Sequence, residues 1–124
     1  MAQMHIPLLA SPIVGNWTLT PDVTAATGAR LQSKDLGATK PSAAPAVPVH
    51  AFDLTFTAEA GRPYRLWLRG RAQADSYNND SVFVQFDGSV DAKGAPVYRM
   101  GTTASTTVIL EDCGGCGVKG WGWA

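Results

Sequence analysis

In three short stretches between residues 50 and 87, apolar side chains recur at every second position: Phe52, Leu54 and Phe56; Tyr64, Leu66 and Leu68; Val82, Val84 and Phe86. A period of two matches a pleated strand with one face in a core and the other in solvent; a helix scatters such a set around its axis. Residues that break regular structure close each run. They are Glu59-Ala60-Gly61-Arg62-Pro63, the polar stretch Asp75-Ser76-Tyr77-Asn78-Asn79-Asp80, and Asp87-Gly88. Further strands are predicted over 16–20, stopped by Pro21, and over 29–33, 97–100 and 102–111, where Val108, Ile109 and Leu110 close a β-branched run. One helical turn fits 22–26 before Gly28. Thirteen Gly and eight Pro, with only two Glu and four Lys among 124 residues, leave little material for longer helices. Seven or eight short, turn-bounded strands predict an all-β fold, a two-sheet β-sandwich or jelly roll with mostly antiparallel pairing.

A mass of 13.1 kDa suits one domain. By area scaling, about two thirds of the unfolded surface is hidden in a chain of this size, so a core forms without metals or multiple disulfides. The domain is expected over 16–124. Residues 1–15, interrupted by Pro7 and Pro12, form an N-terminal extension or edge strand, and 36–48, with Gly37, Pro41, Pro45 and Pro48, form an exposed connection. Ten basic residues balance ten acidic ones, for a net charge of zero. That balance argues against nucleic acid and anionic membrane as partners, since both recruit surplus positive charge. The longest apolar run, residues 6–10, falls far short of a bilayer span. No secretory signal is visible in residues 1–10, which lack a basic n-region.

Catalytic signatures are sparse. His5 and His50 have no metalloprotease spacing, and no nucleophile elbow or phosphate-binding loop occurs. The acids sit beside Gly, Ser and Asn, where turn capping accounts for them, so no enzyme activity is expected. Asp75, Asn78, Asn79 and Asp80 form an oxygen-rich loop with the ligand chemistry for calcium, but EF-hand spacing is absent and Asx-turns that launch the next strand are the ordinary explanation. Otherwise no metal and no cofactor is expected. Cys113 and Cys116 enclose two glycines. The glycines oppose the helix a redox Cys-x-x-Cys uses, and no further ligands complete a zinc site. A local disulfide in an exported protein is the favoured reading, with free thiols the alternative.

Trp67 between Arg65 and Arg69 is the most suggestive constellation. On a strand the three side chains project from one face, opposite Tyr64, Leu66 and Leu68. An indole stacks on the apolar C–H face of a sugar while guanidinium and amide groups hydrogen-bond its hydroxyls. Gln85, with Phe83, extends such a platform on the next strand; core packing of Trp67 is the ordinary alternative. Trp121 and Trp123 point to one side if their segment is extended, either gripping ligand at a loop rim or plugging the core.

Four segments occur in order: Tyr64-Arg65-Leu66-Trp67-Leu68-Arg69-Gly70, Asn79-Asp80-Ser81-Val82-Phe83-Val84-Gln85-Phe86, Leu110-Glu111-Asp112-Cys113-Gly114-Gly115-Cys116-Gly117 and Gly120-Trp121-Gly122-Trp123. Together they resemble bacterial extracellular modules related to malectin-like and carbohydrate-binding, galactose-binding-like jelly rolls. The resemblance spans about residues 16–124 and implies a two-sheet jelly roll of a secreted protein with glycan as partner. It places Arg65, Trp67, Arg69, Asn79 and Gln85 on or beside strands used for a binding face or rim. Members of that group continue after Gly-Trp-Gly-Trp with two further strands, whereas this sequence stops at Ala124. The expectation is therefore an incomplete sandwich whose open edge pairs with a complementary chain, a swapped copy or its own N-terminal segment. Glycan binding by stacking and hydrogen bonds is expected to be weak and little affected by salt.

Overall fold

The computed structural model describes residues 4, 6, 12–111, 116–117 and 119–124. The described residues are mostly strands, turns and extended segments, with helix confined to two three-residue 3₁₀ turns. All strand pairs are antiparallel and lie in small two-stranded sheets, as an all-β chain of short strands requires. No helix among the described residues is long and apolar enough to cross a membrane. The expected Cys113–Cys116 bridge falls on residue 113, outside the described residues. The chain divides into two compact units.

The first unit comprises Met1–Leu36 and Pro48–Pro63. Strands β1 (Ile13–Val14) and β4 (Ala51–Phe52) pair antiparallel, as do β2 (Trp17–Pro21) and β3 (Ala29–Ser33). Trp17 meets Phe52 edge-to-face at 4.8 Å, the geometry that sets a positive ring edge against a negative face. The β2–β3 turn is held by Asp22, whose Oδ1 accepts from the Thr24 hydroxyl at 2.6 Å and the Thr24 N–H at 2.9 Å, while Oδ2 accepts from Arg30 at 2.8 Å. The hairpin therefore replaces the helical turn expected at 22–26, because the Asp22 side chain satisfies the backbone locally. Ladder pairing ends at Phe52. The alternation through Leu54 and Phe56 continues without a partner strand, and both side chains are exposed.

Hydrogen bonds from Thr24, foremost that of its hydroxyl, together with the Arg30 guanidinium, lower the Asp22 pKa from 3.8 to about 2. A lowered folded-state pKa contributes stability that is fully present above the unfolded value and is lost as pH falls through the folded one. An NMR titration of the Asp22 carboxyl is expected to show a midpoint near 2. Asp22→Asn is expected to remove this residue's share of acid sensitivity between 3.8 and about 2; an ordinary midpoint would contradict the turn geometry.

The second unit comprises Gly37–Val47 and Tyr64–Ala124. Strands β6 (Ser81–Val84) and β7 (Thr106–Ile109) pair with Val82 opposite Val108, and Leu110 N–H donates to Asp80 O at 2.9 Å just beyond them. Strand β5 (Arg69–Gly70) pairs with β8 (Gly122–Trp123). The buried apolar residues of the described chain, Ala44, Ala72, Val108 and Leu110, all lie in this unit. Glycine makes two close approaches possible. A Cβ on Gly70 would stand 3.1 Å from Leu68 Cδ2 and 3.2 Å from Leu110 Cδ1; one on Gly117 would overlap Leu110 O and come within 2.9 Å of Glu111 Cα.

Two acids are buried beside this core: Asp80, 4% exposed, and Glu111, 2% exposed. Asp80 Oδ1 faces the Lys40 ammonium at 3.5 Å. Among the described residues neither Glu111 carboxylate oxygen has a hydrogen-bond partner, and none of them offsets the cost of burying it. The strand predicted at 97–100 takes another form. Phe86 and Arg99 make an isolated parallel bridge, and Arg99 holds the loop by donating to Ser89 O at 2.6 Å and Asp87 O at 3.1 Å. Tyr98 has φ of +48°, outside the extended region a regular ladder needs.

Candidate functional site

Of the seven candidate ligand-binding residues, Arg69 and Trp123 lie on the β5–β8 ribbon, and Arg65, Trp67 and Trp121 lie on the segments that lead into its two strands. Arg69 lies opposite Trp123 and Gly70 opposite Gly122. Leu68 N–H donates to Ala124 O at 2.8 Å and Ala124 N–H to Leu68 O at 3.0 Å, adding a pair at the end of the ladder. Because Leu68 and Ala124 exchange both bonds, Arg69 and Trp123 form the adjacent non-hydrogen-bonded pair, in which opposed side chains approach most closely. Strand alternation assigns Trp67, Arg69 and Arg71 to one side of the ribbon, with Trp121 and Trp123 across from them. On the other side, the absent Gly70 side chain leaves room for Leu68 and Leu110. One face of the ribbon is therefore anchored to the core while the other presents alternating indole and guanidinium groups.

The cations and rings are in register. Arg69 Cζ lies 4.8 Å from the Trp121 ring centroid and Arg71 Cζ 5.6 Å from it; Arg65 Cζ lies 5.9 Å from that of Trp67. Each distance is within reach of cation–π attraction, about 0.5–1 kcal/mol at exposed sites. The indoles differ in role. Trp67 is 57% and Trp123 55% exposed, whereas Trp121 is half-buried and supports two guanidinium groups. Core packing of Trp67, the ordinary alternative, does not describe its position.

A cavity of about 240 Å³ adjoins the ribbon, lined by Arg71, Ala72, Ala74, Asp75 and Gly120. Asp75 Oδ1 accepts from Gly120 N–H at 2.8 Å and so ties the segment before β8 to the 3₁₀ turn Gln73–Asp75. Arg71 joins the site as the next member of the i, i+2 series Arg65, Trp67, Arg69, and that spacing is the signal for it in the sequence. The parts played by Asp75 and Gly120 had no such signal, because their bond joins residues 45 positions apart.

The other two candidates serve elsewhere. Gln85 Nε2 donates to Thr102 O and Ala104 O, both at 2.8 Å, and thereby clamps the segment leading into β7. Asn79 closes the 3₁₀ turn Tyr77–Asn79 immediately before the buried Asp80; the Ser76 side chain caps that turn by accepting from Asn78 N–H. The oxygen-rich loop is thus built from short turns. Among the described residues, no group of three or more His, Cys, Asp and Glu side chains converges as a metal site. Comparison with protein families, with curated proteins and with solved structures returned no match.

Proposed function

We propose that this chain is a non-catalytic carbohydrate-binding module of an exported protein, built on a two-sheet, galactose-binding-like β-sandwich. The observation that carries the reading is the pair of exposed indoles, Trp67 just before β5 and Trp123 on β8, the first beside the Arg65 guanidinium and the second opposite Arg69. Exposed indole surface costs free energy in water unless something apolar covers it, and the C–H face of a pyranose is such a cover. Guanidinium N–H groups at the rim then donate to ring hydroxyls. The ribbon also supplies the rigidity that weak ligand contacts need, since both strands hydrogen-bond and its reverse face meets the core.

A second reading, an assembly module whose strand edges recruit a complementary chain or another copy, is supported by the two-stranded sheets, each leaving an outer edge on both strands. Exposed Ile13, Val14, Leu19 and Ile109 on those strands favour it as well. A broad glycan panel, with light scattering on the same sample, separates the two. Saccharide retention by a monomer is the expected result. A stable dimer or hetero-complex that retains no saccharide would replace the first reading with the second.

A further inference from the structure

The six arginines of the chain fall into two groups. Arg30 pairs with Asp22, Arg62 pairs with Glu59, and Arg99 donates to two backbone carbonyls. Arg65, Arg69 and Arg71 make no ion pair or hydrogen bond among the described residues; they lie against the rings of Trp67 and Trp121. A ring satisfies the flat face of a guanidinium and leaves its in-plane N–H fork unused. Three such forks occur at alternate positions of one segment, beside the exposed indoles of Trp67 and Trp123. The chain's net charge of zero thus conceals a local positive surplus, three guanidinium groups against the Asp75 carboxylate that lines the cavity with Arg71.

Neutral sugar hydroxyls do not balance such a surplus. A planar or tetrahedral oxyanion does, because two parallel N–H groups of one guanidinium match two of its oxygens. Resting on the carbohydrate reading, we propose that the ligand is an acidic saccharide, one bearing carboxylate or sulfate groups, with Arg65, Arg69 and Arg71 taking its anionic groups and Trp67 and Trp123 its ring faces. Trp121 acts as the support that fixes the Arg69 and Arg71 forks. Binding of this ligand is then salt-sensitive, in contrast to the salt-insensitivity that the overall charge balance suggests.

The test compares polymers of one backbone with and without charge: polygalacturonic acid against its fully methyl-esterified form, and dextran sulfate against dextran. The carboxylate and sulfate arms distinguish the two sources of the anion. Titration calorimetry on the intact chain is expected to show at least one acidic polymer bound about tenfold or more tighter than its neutral counterpart. That preference should shrink several-fold on raising salt from about 0.05 to about 0.5 M and should disappear in Arg69→Gln/Arg71→Gln. Equal affinity for charged and neutral forms would overturn the proposal and leave the carbohydrate reading standing. Absence of binding to all four polymers and to a wider neutral panel would remove both. Single-stranded oligonucleotide bound as tightly as the best acidic polymer would mark a general polyanion surface and overturn the proposal. The wild-type comparison of acid with ester needs no variant, so a folding defect in the double substitution does not obscure it.

Discussion

Trp67→Ala/Trp123→Ala is expected to abolish saccharide retention and leave the fold intact. Both indoles are more than half exposed, so their loss removes ligand-facing surface and little core. Each single change is expected to lower affinity about tenfold or more, the scale of an aromatic anchor at the centre of an interface. Stability should move by less than about 1 kcal/mol for Trp123→Ala, which gives up a cross-strand contact with Arg69, and by less for Trp67→Ala. Trp121→Ala is expected to behave differently. It withdraws the ring from beneath Arg69 and Arg71, so loss of stability and loss of binding should appear together. Thermal unfolding alongside affinity electrophoresis makes the comparison. Wild-type affinity in the Trp67→Ala/Trp123→Ala protein would show that the ligand sits elsewhere.

Among the described glycines of the second unit, Gly117→Ala is expected to be the most destabilising change, by about 3 kcal/mol or more. Two costs combine there. Gly117 has φ of +88°, where alanine is strained, and the added carbon would overlap Leu110 O and crowd Glu111 Cα. Those are backbone atoms of the segment that carries the buried Leu110, so they cannot swing aside as a side-chain tip does. Two other glycines isolate the terms. Gly94 has φ of +80° with nothing near the added carbon, and Gly88 has open space and no positive φ. Gly88→Ala should be nearly neutral and Gly94→Ala should cost about 1 kcal/mol, with Gly117→Ala well beyond both. For a chain of this size the last effect corresponds to a fall in Tm of roughly 10 °C. Equal melting temperatures for the Gly94 and Gly117 variants would show that the Leu110–Gly117 approach is not close in solution.

Strand locations were legible where the period-two signal met a partner. Ser81–Val84 lies within the predicted 81–87 run, Ala29–Ser33 coincides with the predicted strand, and Trp17–Pro21 is displaced by one residue from 16–20. The same signal over Leu54 and Phe56, and over Tyr64 and Leu66, has no strand beside it and leaves those side chains exposed, because alternation reports a local preference for extended backbone while a ladder needs a second chain segment at hydrogen-bonding distance. Gly122–Trp123 shows the reverse. Glycine is poor strand material, yet pairing with Arg69–Gly70 makes this segment a strand. Likewise, Gln85 looked available for ligand from its place in the alternation, and only the fold commits its amide to Thr102 and Ala104.

From the sequence alone come the strand-rich character, the shortage of helix and the alternate spacing of Arg65, Trp67, Arg69 and Arg71. These follow from backbone stereochemistry and side-chain spacing, which act between near neighbours. Tertiary structure decided that Trp121 and Trp123 return to that segment and that Arg69 and Arg71 find the Trp121 ring in place of a carboxylate. Net charge is a sum over the whole chain, whereas a ligand meets the charges left uncompensated on one surface, and which charges those are depends on contacts between residues about 50 positions apart.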